Sequence, residues 1–441
     1  MTETAMLTTP KDWPSILLPK QDAPDPADLD AAMAAGAFTG LRMAVRDLGP
    51  TGATAAIGAS GLRGRGGAGY PAADKWRAAN SVAATSRIVV ANGYGSDPST
   101  TTDQVLMERN PYAVIEGLAI AAFAIGANEG IIAVRTSATT AIATMEAALA
   151  AAMEAGIIGH DAFGPGSHFD VKVLTVQGAY LLGEETILLK ALEGKRGQPE
   201  QRPPHPATHG LRGLPTVVHN VQTLAAIPWI VRNGSEAYAR IGAAECPGTM
   251  LVQVRGPEST GIAEVPLGTP LRQIAALAGS GRRPLKAVLV GGPSGGILPP
   301  DALDVPYTFD TLRAAGAHIG SGSVIVADDR ACIVDLARVL TRYCADEACG
   351  KTIPCRIGTR RLSEIGDRLA AGTSRAGDLD VLTDLAADIV ASALCDHERL
   401  ATLPLVSGMR YFRAELDEHL ERGSCPAGVC HPIAMTASAT H

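Results

Sequence analysis

The stretch Ser60-Gly-Leu-Arg-Gly-Arg-Gly-Gly-Ala-Gly-Tyr-Pro-Ala-Ala-Asp-Lys-Trp76 constrains the fold more than any other, because it places five glycines and three cations in seventeen residues. Gly64, Gly66, Gly67 and Gly69 free the backbone to take positive φ and to approach a ligand closely. Successive N–H groups can then point at phosphate oxygens. Arg63, Arg65 and Lys75 would add charge beside that nest. The competing reading is a flexible, solvated turn.

Gly64-Arg-Gly66-Gly-Ala-Gly69 matches G-x-G-x-x-G in form, but a dinucleotide fingerprint needs a strand before it and an acid about twenty residues on. Thr51 to Ser60 is rich in Ala and Gly and reads as helix. The strand Arg87 to Ala91 leads into Asn92-Gly93 instead of an acid. A phosphate site of another α/β fold is the better expectation.

A chain of 441 residues has room for two to four domains. Its net charge of −7 argues against a nucleic-acid footprint. The longest apolar run, Val114 to Ala127, is interrupted by Glu116 and is too short to span a bilayer. The Pro- and Asp-rich start, Met1 to Pro26, lacks the pattern of a signal peptide, so the expected location is the cytoplasm, including the periphery of a membrane-bound complex. Of eight cysteines, six fall between Cys344 and Cys430. In a cytosolic chain such clustering points to metal or redox chemistry more than to disulfides.

Short strands alternate with helices over roughly residues 28 to 240, giving an α/β block. Strands at Met250 to Arg255, Gly261 to Val265 and Ala287 to Val290, with a helix at Pro270 to Ala278, give a small β-grasp pattern. From about Ser323 four helical stretches, Ala331 to Cys344, Gly358 to Leu369, Leu379 to Ala393 and Val406 to Leu420, form a helical bundle.

The loop Gly61 to Pro71, Gly183-Glu-Glu-Thr186, Leu192-Glu-Gly-Lys-Arg-Gly-Gln-Pro199 and Cys349-Gly-Lys351 together resemble the flavoprotein subunit of respiratory complex I and its relatives in NAD-linked hydrogenases and formate dehydrogenases. The resemblance runs from about residue 35 to residue 430. It implies an NADH dehydrogenase subunit in which hydride passes from NADH to FMN and single electrons pass to a four-iron (4Fe-4S) cluster and a partner subunit. It also implies an N-terminal extension (1–34), an FMN- and NADH-binding α/β domain (35–240), a β-grasp domain of the soluble-ligand-binding type (246–305), an iron-sulfur helical bundle (323–422) and a tail (423–441).

Carried over onto this chain, the resemblance implies that Gly64, Arg65, Gly66, Gly67, Lys75, Asn92, Tyr180, Gly183, Asn220 and Thr223 bind the cofactor. Glu184 and Glu185 stand as catalytic residues at the mouth of the pocket; the alternative for both is a solvated helix N-terminus. Cys349, Cys355 and Cys395 stand as cluster ligands.

Several positions depart from the family. Tyr94 and Gly95 stand where it has acids, and Tyr70, Ala78 and His205 where it has phenylalanines. His219 replaces an asparagine and could act as a donor in its place. The pattern Cys-x-x-Cys-x-x-Cys reads Cys349-Gly-Lys-Thr352-Ile-Pro-Cys355, one thiolate short of the usual four. For the fourth position Cys344, Asp396 and His397 stay open, as do a three-iron cluster, no cluster, or zinc. Cys425 and Cys430 are expected to be remnants, a small disulfide or part of an interface, with no catalytic role. These departures also define an alternative function, a paralogue that keeps the fold but serves as an electron-transfer or structural subunit of a larger complex.

Overall fold

The computed structural model describes residues 5–19, 25–279 and 281–430; the rest of the expected extension (1–34) and tail (423–441) lies outside the described residues. The first sheet comprises β1 (Ile88–Gly93), β2 (Glu129–Arg135), β3 (Gly159–His160), β4 (His168–Val176) and β5 (Thr216–Asn220) in the order β3-β4-β2-β1-β5. All neighbours are parallel except β3 with β4. Ile88, Val89, Val90 and Ala91 are wholly buried, as fits a parallel strand covered on both faces.

The chain runs outward from β1 through β2 to β4, then returns to lay β5 on the other side of β1. The reversal opens a crevice beyond the C-terminal ends of β1 and β5, where ligands of open α/β sheets bind. Asn92 and Asn220 are register partners there.

Helices Pro111–Ile125 and Val221–Asn233 pack on one face of this sheet. They approach so closely at Gly117 that a Cβ there would lie 2.0 Å from the Leu224 carbonyl oxygen. Pro111 starts the first helix with a pre-set φ, and Gly126, at φ 65°, ends it in the left-handed conformation.

After the short hairpin of β6 (Gly242–Ala243) and β7 (Cys246–Pro247), a second sheet forms from β8 (Thr249–Arg255), β9 (Thr260–Pro266), β10 (Leu285–Val290), β11 (Gly296–Leu298) and β12 (Ser323–Asp328). Its order is β11-β10-β12-β8-β9, with only the β12–β8 pair parallel. β12 lies inside this sheet, so the second unit extends past 305, and residues assigned from sequence to the start of the helical block belong to it. Residues of the expected N-terminal extension are also tied in. The N–H groups of Ile16, Leu17 and Leu18 donate to the buried Glu264 carboxylate at 2.7, 3.0 and 3.2 Å.

The remaining chain is helical: Ile333–Asp346, Pro354–Thr359 running into Arg360–Ala370, Asp378–Ser392, Asp396–Leu400, Leu403–Tyr411 and Arg413–Glu421. Leu362, Ile365, Leu369, Leu382 and Ile389 form the core that joins these helices to β10. No described helix is long and apolar enough to cross a membrane.

Candidate functional site

The glycine loop folds over the crevice. Gly64 N–H donates to the Tyr70 carbonyl at 2.8 Å and pinches the loop shut. Gly67 and Gly69 hold φ of 105° and 66°, values that L side chains rarely adopt. Gly66 faces Asn220, whose Cβ would lie 3.6 Å from an added Cβ. Residues 65–68 form a turn at the tip of the loop. A turn with positive φ at Gly67 and Gly69 can gather backbone N–H groups into the nest that a phosphate fills, so the loop fits the phosphate of a flavin mononucleotide.

Of the three cations beside the loop, Arg63 and Lys75 are paired with acids, while Arg65 is held by neutral acceptors and keeps its charge there. Arg65 is buried, with Nε on the Thr249 carbonyl (2.9 Å), Nη1 on the Arg63 carbonyl (2.7 Å), and Nη2 on Pro247 (2.6 Å) and the Tyr238 hydroxyl (3.0 Å). Its N–H donates to Thr223 Oγ1 at 2.9 Å, so Arg65 and Thr223 meet each other and brace the loop. Arg63 pairs with Asp310 at 2.8 Å. Lys75 Nζ sits 2.6 Å from Glu185 Oε2.

Around the crevice, Asn92 Nδ2 donates to the Gly183 carbonyl at 3.3 Å. Asn220 caps the helix Val221–Asn233 by accepting from Gln222 N–H, and its Nδ2 donates to Asp103 at 2.6 Å. Asp103, which the sequence reading missed, is buried and pushed up to about 6 by burial, although Gln222 and Asn220 bond to its carboxylate. An acid in the first turn of the helix Thr102–Arg109 carries no motif that would have revealed it. A cavity of 130 Å³ adjoins, with Tyr94, Gly95, Asp97, Asp103 and Arg135 among its walls. The Tyr94 ring lies under the Arg135 guanidinium, 4.8 Å from its centroid.

Glu184 takes the N-cap of the helix Glu185–Leu192. Its Oε2 accepts from the N–H groups of Thr186 and Ile187, both at 2.9 Å, and it pairs with Arg202. Burial holds its carboxyl above the ordinary range despite those donors. Glu185 is also desolvated, but Lys75 and Arg202 outweigh that and hold it below the ordinary range. Both acids therefore sit at a helix N-terminus as the alternative reading had it, but in paired, half-buried form. Tyr180 bonds through its hydroxyl to Ser294 (2.8 Å), and its ring packs edge-on against Tyr343 and His397.

His219 does not act as a donor through Nε2. Trp76 Nε1–H donates to that nitrogen at 2.8 Å, and burial, reinforced by Lys75, lowers the imidazole to about 3 and keeps it neutral. Tyr70 is exposed.

Cys349, Cys355 and Cys395 are neighbours, near enough for the charge of one to act on another. Burial raises Cys355 to about 12, with Glu398, Cys395 and Cys349 adding to the effect, and burial raises Cys395 to about 11. Facing thiols in a low-dielectric pocket suit a cation that takes them as thiolates, and the donor set fits an iron-sulfur cluster. Thr352 lies within this pocket, its hydroxyl on Glu398.

A second group was not anticipated. Among the described residues, the one set of three or more metal-type ligand atoms all within 4.8 Å of one another is Cys332, His419, Cys425 and Cys430. Cys332 Sγ lies 3.6 Å from Cys430 Sγ and 3.5 Å from His419 Nε2. A tetrahedral ion with bonds of about 2.3 Å to sulfur and about 2.05 Å to nitrogen requires separations of about 3.8 and about 3.5 Å. His419 Nδ1–H donates to the Glu415 carbonyl at 2.8 Å, leaving Nε2 free to ligate in the arrangement common to metal-bound histidines. This geometry is that of a single-ion centre and is too tight for a four-iron cluster. Cys425 and Cys430 are free thiols, so they do not form the small disulfide considered from sequence.

Residues 57–229 match the family model described as the Nuo51 FMN-binding domain, and residues 335–419 match the NADH-ubiquinone oxidoreductase-F iron-sulfur binding region. The chain is 39% identical over 418 residues to the F 2 subunit of NADH-quinone oxidoreductase from Rhizobium meliloti, covering 93% of this chain and 99% of that protein. It is 38% identical over 410 residues to the HndC subunit of the NADP-reducing hydrogenase from Solidesulfovibrio fructosivorans, covering 92% and 83%. A chain of the NAD+-reducing [NiFe]-hydrogenase in its H2-reduced state superimposes with a TM-score of 0.78 at 34% identity, covering 85% of this chain and 63% of that one.

Proposed function

The chain belongs to the family of NADH-quinone oxidoreductase F subunits, and on that premise we propose that it oxidises NADH through FMN and delivers electrons to an iron-sulfur cluster and a partner subunit. The single observation that carries this reading is the glycine turn, with positive φ at Gly67 and Gly69 and Gly66 against Asn220, at the C-terminal end of β5. Flavin bound there supplies the switch from a two-electron hydride to single electrons.

The residues divide the work. Gly64, Gly66 and Gly67 shape the phosphate nest, with Arg65 and Thr223 bracing it from behind. Asn92, Gly183 and Asn220 line the crevice and orient the ring system. Glu185, held ionised by Lys75, and Glu184 at the N-cap set the charge at its mouth. Tyr180, bonded to Ser294, closes the boundary toward the cysteine pocket. Cys349, Cys355 and Cys395 hold the cluster. The mixed sheet reads as a β-grasp unit running to β12, and the helices after it as the cluster-bearing bundle. Cys332, His419, Cys425 and Cys430 hold one structural ion such as zinc. Close identity over nearly the whole chain favours this reading over a paralogue without NADH oxidation.

The partner would be an iron-sulfur protein of a multi-subunit redox complex, and the location the cytoplasm or the periphery of a membrane-bound complex. Absorption spectroscopy of the purified chain tests the reading: a flavin spectrum that bleaches on addition of NADH is expected. Its absence, or flavin that stays oxidised, overturns it.

A further inference from the structure

The cysteine pocket has three thiols, and Thr352 occupies the place where the spacing of Cys349 and Cys355 would admit another. What faces Thr352 is a carboxylate. Thr352 Oγ1–H donates to Glu398 Oε1 at 2.9 Å, and Leu394 N–H donates to Glu398 Oε2, also at 2.9 Å. Glu398 is only 1% exposed. Among the described residues no Lys, Arg or His pairs with it. A buried carboxylate given two neutral donors and no counter-cation is poorly compensated, and each of its oxygens keeps a lone pair.

Its position explains what would compensate it. Cys395 is the N-cap of the helix Asp396–Leu400, and Glu398 lies within its first turn, its carboxylate reaching back to the N–H of Leu394, the residue before Cys395. The thiol and the carboxylate therefore emerge together from a single turn. Cys355 feels the Glu398 charge ahead of those of Cys395 and Cys349.

The other candidates on this helix point elsewhere. Asp396 is exposed and pairs with Arg399 at 2.7 Å. His397 bonds through Nε2 to the Cys344 carbonyl at 3.0 Å and packs edge-on against Tyr180. Its Nδ1 is buried without a partner among the described residues. Cys344 directs its thiol to the Pro293 carbonyl at 3.6 Å.

We propose that Glu398 supplies the fourth ligand of the iron-sulfur cluster held by Cys349, Cys355 and Cys395, and that Thr352 positions its carboxylate. The inference rests on the assignment of those cysteines to a cluster. The pair replaces one thiolate by an oxygen donor set in place by a hydroxyl. Oxygen is a harder donor than sulfur, so the iron it holds is the one most readily released, which would leave a three-iron cluster on the three thiolates.

The test uses the full-length chain, purified without oxygen as wild type, Glu398→Gln, His397→Gln, Thr352→Cys and the double variant Thr352→Cys/Glu398→Gln. Iron and sulfide per flavin are measured together with electron paramagnetic resonance of the oxidised and dithionite-reduced forms. Wild type is expected to carry four irons, and Glu398→Gln to carry three with the signal of an oxidised three-iron cluster and unchanged flavin. Thr352→Cys/Glu398→Gln is expected to regain the fourth iron. If Glu398→Gln loses its cluster altogether, recovery in the double variant supports the proposal and no recovery overturns it. Wild-type iron content and spectrum in Glu398→Gln overturn it, as does a three-iron form in His397→Gln alone. A wild-type protein with flavin but no iron would instead overturn the cluster assignment beneath it.

Discussion

Lys75 Nζ lies 2.6 Å from Glu185 Oε2 and 2.9 Å from the Val218 carbonyl, so one ammonium ties the helix Ala72–Asn80 to β5 and to the start of the helix Glu185–Leu192. Replacing Lys75 by Met leaves Glu185 with Arg202 alone, at 3.3 Å. The expected cost is about 1–2 kcal/mol, between that of exposed and fully buried pairs. Because the Glu185 pKa is depressed below its 4.5 reference, the stability it adds is present above that value and lost as pH falls beneath it. Urea unfolding of wild type and Lys75→Met should therefore differ most near neutral pH, with the gap closing under acid.

Asp103 titrates in the opposite sense. Its folded pKa of about 6 lies above the reference value of 3.8, so the folded state takes up a proton that the unfolded chain does not between those values. Stability from this group is fully present below 3.8 and is lost as pH rises through about 6, a change on the order of 3 kcal/mol. Comparing the pH dependence of the urea midpoint in wild type and Asp103→Asn isolates it. The difference between the two proteins should change across that window and be flat above it.

Gly67 combines a φ of 105° with a close neighbour, the Gly320 carbonyl oxygen 3.4 Å from an added Cβ. Gly67→Ala should cost about 1–2 kcal/mol of backbone strain and turn N–H donors away from the nest. The purified variant is expected to retain less than half of the flavin per chain while keeping its iron, as read from the absorption spectrum and metal analysis.

The Cys332 centre predicts a metal count. Elemental analysis should find one zinc per chain beyond the iron, and Cys332→Ser should lose it. Chelation should lower the melting temperature of wild type but not of Cys332→Ser, because metal affinity is added to folding stability only where the site exists.

The sequence exposed those parts of the molecule whose chemistry is local. Gly64 to Gly69 announced a nest because positive φ is a property of glycine itself, and the strand at β1 followed from short-range pattern. What it concealed depended on distance. Nothing in Arg63, Arg65 or Lys75 shows that Asp310 and Glu185 pair with the first and the last, or that carbonyls distant in sequence hold the second. β12 was read with the helical block because only pairing with β10 and β8, strands well upstream in the chain, makes Ser323–Asp328 a strand of the second sheet. Cys332 looked isolated for the same reason: its partners His419, Cys425 and Cys430 reach it only after the bundle has closed. Glu398 was hidden beside its neighbours Asp396 and His397, because the hydroxyl that singles it out belongs to Thr352, 46 residues away.

The helix Ile333–Asp346 begins beside Cys332 and carries Cys344, under the cysteine pocket, near its other end. Its 14 residues form a rod about 21 Å long. That span keeps the two sites from sharing a ligand, so each can change without the other. A lineage could lose the ion at one end and forfeit only rigidity, while electron traffic at the other end continues, and could retune the Thr352–Glu398 end without loosening the clasp on the tail.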